Sequence, residues 1–212
     1  MIMTTFYLLR HGETEWNSDH NRYCGRTDIG LSSNGTTQAA LAAKCLNQIQ
    51  FSAVYSSPLR RAYETANIIN PNGSLQIKSD DRIMEIDFGN WEGQTRDEIE
   101  RNHPESWKSW LSHPANTNAG ESGETANDVY TRAADFFIEK SQQHLGNNVL
   151  VVGHNTVNRF YITGAMGLPF NNYRTIKQSN TGITIFEINQ SNKIEWLQIN
   201  SIMHLIAVSE QI

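Results

Sequence analysis

Short apolar runs alternate along the chain with longer stretches in which apolar residues recur every three or four positions. Phe6-Tyr7-Leu8-Leu9 is short, continuous and apolar, which predicts a buried strand. Ser32 is placed to cap a helix, because Ala39, Ala42, Leu46 and Ile49 follow at helical spacing and form one face. Ala53-Val54-Tyr55 predicts a second strand, and Pro58 suits the head of a helix over residues 59–69. The Asn70-Pro71-Asn72-Gly73 cluster predicts the turn that ends this helix, with a third strand at 75–78. Ser122 is expected to cap a long helix whose apolar stripe is Ala126, Val129, Tyr130, Ala133, Phe136 and Phe137, stopped by Gly146-Asn147. Val149-Leu150-Val151-Val152 reads as a strand buried on both faces. A helix over 157–166 follows, and residues 182–188 and 194–199 predict a hairpin.

Such alternation predicts an α/β layered domain. Residues 86–121 interrupt it. Trp91, Trp107 and Trp110 sit there among Gly, Pro, Asn and short helical stretches with no strand pattern. The segment reads as an excursion from the sheet, placed to cover a site, with the three tryptophans as its own small core.

Length and charge narrow the classes. A chain of 212 residues fits one domain, and a chain of this order hides roughly 70% of its unfolded surface. With 22 acidic against 17 basic residues the formal charge is −5, which argues against nucleic acid or an anionic membrane as the main partner. Cys24 and Cys45 are too few for a disulfide scaffold and lack zinc spacing. The apolar start at residues 2–9 is cut short by Arg10, so neither a signal peptide nor a membrane span is expected. The expectation is a soluble, cytoplasmic, single-domain protein.

Three predicted strands end alike. They run into Arg10-His11-Gly12, into Ser56-Ser57-Pro58-Leu59-Arg60-Arg61 and into Gly153-His154-Asn155. Ligands of open α/β sheets bind outside the carboxyl ends of the strands, so histidines and arginines from three segments converge on one sheet edge. Gly12 and Gly153 are expected to let the backbone approach a ligand, and the helices that follow would add amides for an anion. Guanidinium forks match phosphate oxygens, which makes phosphate the expected guest. His11-Gly12-Glu13 fits the H-x-E of zinc deaminases only superficially, because no P-C-x-x-C follows. Asp80-Asp81 lies in a polar turn without further ligands, so no metal site is expected.

Four ordered motifs carry a resemblance to the histidine phosphatase superfamily, in its phosphoglycerate mutase-like branch. Arg10-His11-Gly12-Glu13-Thr14, continued by Glu15-Trp16-Asn17, resembles the first. Ser56-Ser57-Pro58-Leu59-Arg60-Arg61-Ala62 is similar to the second, Glu85-Ile86-Asp87-Phe88-Gly89-Asn90-Trp91-Glu92-Gly93 to the third, and Val151-Val152-Gly153-His154 to the fourth. The resemblance spans nearly the whole chain and implies a three-layer α/β/α sandwich around a mostly parallel mixed sheet. It implies that His11 is a nucleophile that becomes phosphorylated, that Arg10, Arg60 and His154 hold the phosphoryl oxygens, and that Glu85 protonates the departing alcohol. Asn17 and the backbone near Cys24 and Gly25 would complete the phosphate contacts, although Cys24 stands where relatives often carry Ser or Thr. Asn155 replaces a common Gly and brings a side chain to the substrate. Asn200-Ser201-Ile202-Met203-His204-Leu205 resembles a C-terminal Asn…His-Leu element, which would bring His204 towards the site.

The implied reaction needs no metal and no other cofactor. Its substrate is a small phosphorylated metabolite, and a homodimer is compatible with it. Hydrolysis is favoured over phosphoryl transfer between hydroxyls, because mutases of the family carry a longer, proline-rich insertion where this chain has only Pro104 and Pro114 between Glu85 and His154. The alternatives are a cofactor-dependent phosphoglycerate mutase and a catalytically idle phosphate-binding regulatory protein. Phosphoserine, α-ribazole phosphate and sugar phosphates, including phosphoglycerates, all remain open as substrates.

Overall fold

A computed structural model describes residues 2–70 and 73–206. Six strands form one sheet: β1 (Met3–Arg10), β2 (Phe51–Ser56), β3 (Ile77–Ser79), β4 (Asn148–Gly153), β5 (Ile183–Asn189) and β6 (Ile194–Ser201). Their order is β3-β2-β4-β1-β5-β6. The first four run parallel, and β5 and β6 close one side as an antiparallel hairpin.

Alternation along the central strands feeds two cores. Phe6 and Leu8 of β1, with Val149 and Val151 of β4, face one side, while Leu9, Leu150 and Val152 face the other. A strand buried on both faces has no polar side to show, which is why these runs are continuously apolar. The second face is covered by α2 (Ser33–Leu46), through Ala42 and Leu46, and by α3 (Arg60–Ile69), through Ala62, Ala66 and Ile69. The first face is covered by α6 (Ala126–Gln143) and α7 (Asn155–Ala165), where Phe137 meets Phe6 and Phe186 of the sheet and Tyr161 meets Phe186. Two layers of helices therefore enclose a mixed sheet, as expected.

Boundaries moved where local hydrogen bonding outcompeted the apolar pattern. Thr125, not Ser122, caps α6. Its hydroxyl accepts from the Asp128 amide, and the Asp128 carboxylate accepts in return from the Thr125 amide at 3.0 Å. Ser122 closes the tight turn that precedes it. The helix after β4 starts at Asn155, two residues before the apolar pattern begins. Helix α3 ends at Ile69, with Asn70 as its C-cap; Pro71 and Asn72 of the expected turn lie outside the described residues.

The excursion holds α4 (Arg96–Asn102) and α5 (Pro104–Ser112) between short 3-10 turns. Its tryptophans do not form a separate core. Trp91, Trp107 and Trp110 are buried in the same cluster as the sheet, and Trp110 meets Phe160 of α7 edge-on at 6.0 Å. The Trp110 indole N–H donates to the Tyr173 hydroxyl at 3.2 Å. No helix among the described residues is long and apolar enough to cross a membrane. Trp110→Ala is expected to cost about 3–5 kcal/mol of global stability, read as a lower urea midpoint for the whole domain. A self-contained excursion would instead melt alone and leave the main transition in place.

Candidate active site

Strands β2, β4 and β1 are neighbours, so their carboxyl ends arrive side by side. Arg10 pairs with Gly153 and Ser56 with Val152. The ladder runs one residue further, since the His11 amide donates to the Gly153 carbonyl at 3.0 Å and the Ser57 amide to the Val152 carbonyl at 3.0 Å. Gly12 is required by packing rather than by a ligand: a Cβ there would stand 2.5 Å from the carbonyl oxygen of Gly35 in the first turn of α2. At Gly153 the obstacle would likewise be the Asn158 side chain.

His11 is 3% exposed. Its Nδ1 lies 2.6 Å from the Gly12 carbonyl oxygen. A carbonyl only accepts, so Nδ1 carries the proton and Nε2 keeps its lone pair. Burial, followed by the charges of Arg61 and Arg10, pushes the His11 pKa well below 6.5. His154, the N-cap of α7, lies 5.1 Å from His11 between ring centroids and is fully buried, with neither ring nitrogen hydrogen-bonded to any of the described residues. Burial, then Arg61, His11 and Arg10, also holds it well below 6.5.

The second buried guanidinium is Arg61, not Arg60. Arg60 points outward, and its Nε donates to Glu64 at 2.7 Å in an exposed ion pair one helical turn apart. Arg61 is fully buried and donates to the carbonyls of Gly25 at 2.7 Å and Thr27 at 2.8 Å. The phase of α3 contained this signal: Arg61 shares its stripe with Thr65 and Ile69, both buried, whereas Arg60 shares one with Glu64. Arg10 donates to the Gln178 carbonyl at 2.9 Å, and burial lowers its pKa to about 10, which leaves it cationic at neutral pH.

Glu85 is 5% exposed and accepts from the Thr156 and Val157 amides at the start of α7 and from the Ile86 amide. The first-turn amides expected to face an anion are thus partly taken by this carboxylate. Arg132 of α6, which sequence reasoning missed, fixes the approach to Glu85 by donating to the carbonyls of Arg82 at 2.8 Å and Met84 at 2.7 Å.

A cavity of about 280 Å³ opens onto these groups, lined by Arg10, His11, Asn17, Cys24, Arg61, Glu85 and Asn155 among others. Among the described residues its wall carries six arginines, the further ones being Arg22, Arg96, Arg159 and Arg174, and one carboxylate, Glu85. Thr14 caps α1 (Glu15–Ser18), and Asn17 completes the capping box by accepting from the Thr14 amide at 3.2 Å; it also accepts from Asn180, whose side-chain amide donates to the His11 carbonyl as well. The Gly25 carbonyl, beside Cys24, accepts from Arg61 at 2.7 Å. His204 stays behind the site: its Nε2 is 3.0 Å from the Thr181 hydroxyl, and the Thr181 amide donates to the Arg10 carbonyl at 3.1 Å. No group of three or more His, Cys, Asp or Glu among the described residues could hold a metal ion.

Residues 6–201 match the sequence profile of the histidine phosphatase superfamily (branch 1). The chain is 32% identical to phosphoserine phosphatase 1 of Hydrogenobacter thermophilus over 203 residues, 96% of this chain and 95% of that one. Its fold superposes on a mutant phosphoserine phosphatase of Entamoeba histolytica in complex with phosphoserine, with a TM-score of 0.86, 31% identity and coverage of 95% and 99% of the two chains. A mycobacterial glucosyl-3-phosphoglycerate phosphatase complexed with VO3 is also similar, at a TM-score of 0.80 and 27% identity over 95% of this chain and all of that one.

Two outcomes follow from the geometry. Arg61→Met is expected to weaken inorganic phosphate binding at least about tenfold by titration calorimetry, the scale of a lost charged hydrogen bond, with Arg60→Met having under a threefold effect. Both buried imidazoles refuse protons that the unfolded chain accepts near pH 6.5, so stability rises with pH through that region and is lost below it. The melting temperature in phosphate-free buffer should therefore fall from pH 7 to pH 5, and His154→Asn should flatten that slope.

Proposed function

The chain belongs to the histidine phosphatase superfamily, branch 1, and on that premise we propose that it hydrolyses a small phosphomonoester through a phosphohistidine on His11. The observation that carries the reading is the His11 tautomer. The Gly12 carbonyl holds the proton on Nδ1, and the Nε2 lone pair is left free in a cavity lined with cations.

In this reading the phosphoryl group of the substrate lies between Arg10, Arg61 and the unpartnered ring of His154. Nε2 attacks phosphorus, and the nitrogen–phosphorus bond forms as the ester P–O bond breaks. The electron pair of that bond leaves on the alcohol oxygen, which takes the proton of Glu85. Water then attacks the phosphohistidine and gives its proton back to Glu85. Phosphate departs, and His11 is neutral again. Preorganised guanidiniums supply the stabilisation of charge on the phosphoryl oxygens. No step calls on a metal.

The chain acts as one catalytic domain here, and the 86–121 excursion supplies Phe88 and Arg96 to the cavity wall. A cytoplasmic setting suits its two free cysteines. Relatives named for phosphoserine make a phosphorylated amino or hydroxy acid the first substrate to test.

The test is phosphate release in EDTA from 4-nitrophenyl phosphate, phosphoserine, α-ribazole phosphate, 3-phosphoglycerate and fructose bisphosphates, ranked by kcat/KM. His11→Ala should remove turnover on all of them. Glu85→Gln should lower kcat about 10²- to 10⁴-fold on alkyl esters, the usual weight of a general acid, and less on the nitrophenyl ester, whose leaving group needs little protonation. A wild type silent across the panel would overturn the hydrolase reading. Interconversion of phosphoglycerates dependent on 2,3-bisphosphoglycerate would replace it with the mutase.

A further inference from the structure

His11 keeps its reactive tautomer because the Gly12 carbonyl accepts from Nδ1, so whatever aims that carbonyl also prepares the nucleophile. A peptide unit is planar and trans, with its C=O and N–H pointing in opposite directions. The plane that carries the Gly12 carbonyl therefore has the His11 ring on one side and the Glu13 N–H on the other. That N–H donates to Oε1 of Gln38, on α2, at 3.0 Å. The Glu13 carbonyl is held in turn by the Ser32 amide at 2.9 Å.

The preceding peptide plane is braced from the neighbouring helix. The Gly12 N–H donates to the Thr65 hydroxyl at 3.0 Å, and that hydroxyl donates to the Arg61 carbonyl at 2.7 Å within α3. With its proton committed to Arg61, the Thr65 oxygen meets Gly12 only as an acceptor. On the opposite edge of this plane the His11 carbonyl accepts from the Asn180 side-chain amide at 3.1 Å. Both planes that meet at Gly12 are thus held by side chains, one from α2 and one from α3. Thr65 is fully buried and Gln38 half-buried, and neither lines the cavity.

We infer that Gln38 and Thr65 are positioning residues that lock the His11 tautomer: by fixing the two peptide planes of Gly12 they aim its carbonyl at Nδ1 and so keep the proton off Nε2. The inference rests on the phosphohistidine reading and adds the residues that prepare its nucleophile. An imidazole without an oriented acceptor at Nδ1 divides its proton between the two nitrogens, and the molecules that carry it on Nε2 cannot attack phosphorus. A peptide N–H that loses a buried acceptor is costly where it stands, so the plane turns to find another partner and takes the Gly12 carbonyl with it. Neither side chain reaches the phosphate, which is left to Arg10 and Arg61. Losing the brace therefore slows the attack without weakening the grip on the anion.

The experiment reads the His11 ring nitrogens by proton–nitrogen correlation NMR at neutral pH in phosphate-free buffer, with His11→Ala to assign the signals. Turnover of 4-nitrophenyl phosphate and calorimetric binding of inorganic phosphate are measured beside it. The wild type should show a protonated Nδ1 and a bare Nε2. In Gln38→Met and Thr65→Val the Nε2 signal should move towards the protonated position. Their kcat should fall about ten- to hundredfold, the scale of a misaligned reacting group, while phosphate affinity stays within about threefold. Gln38→Glu and Thr65→Ser keep an acceptor oxygen and should restore both the tautomer and kcat. Gln38, at its half-buried position, carries the test alone should Thr65→Val fail to fold. An Nε2 signal that stays in place in Gln38→Met, or moves equally in Gln38→Glu, would overturn the brace while leaving the phosphatase intact. A wild type without turnover on any ester would overturn the phosphatase reading instead, and the NMR signals would still decide the brace.

Discussion

Arg10 and Arg61 are buried guanidiniums with no ion-pair carboxylate among the described residues, and the active end of the molecule is arranged around keeping them so. Burying a charge is expensive unless hydrogen bonds satisfy it. Here the satisfaction comes from neutral carbonyls, those of Gln178, Gly25 and Thr27, so the positive charge survives for a ligand. The same charges, together with burial, keep His11 and His154 unprotonated. Acid chemistry is left to Glu85, which is tied to the backbone at the start of α7.

Those carbonyls are held in turn by the surrounding fold. The loop through Gly25 and Thr27 is fastened by Glu92, whose carboxylate accepts from the Arg26 and Thr27 amides. The segment through Gln178 and Thr181 is pinned to the back of the Arg10–His11 backbone, with His204 behind it. A histidine that never touches the cavity therefore still bears on the nucleophile through one hydroxyl. The excursion, the C-terminal segment and the first loop thus serve one site although they are far apart in sequence.

Much of this was legible in the residues. The continuous runs at 6–9 and 149–152 announced strands buried on both faces, because apolar residues at consecutive positions leave a strand no polar side. The gathering of Arg10, His11 and His154 at one sheet edge followed from strand ends alone. Arg61 was also readable, since its phase with Thr65 and Ile69 marks a buried stripe, but a motif weighed residue by residue favoured its neighbour. The cap of α6 was misplaced because Ser122 and Thr125 both suit a cap, and only the reciprocal bond with Asp128 selects Thr125.

What the sequence by itself determined was the layered α/β class, the central strands and the set of side chains able to hold a phosphate, because periodicity and strand ends are local properties. The tertiary structure decided which guanidinium faces inward, that the three tryptophans join the sheet core, and that Arg96, Arg159 and Arg174 share a wall. These depend on contacts between segments up to about eighty residues apart, such as Arg96 against Arg174 across Trp107. No spacing along the chain encodes such an approach, because the distance between those side chains is set by how whole helices pack.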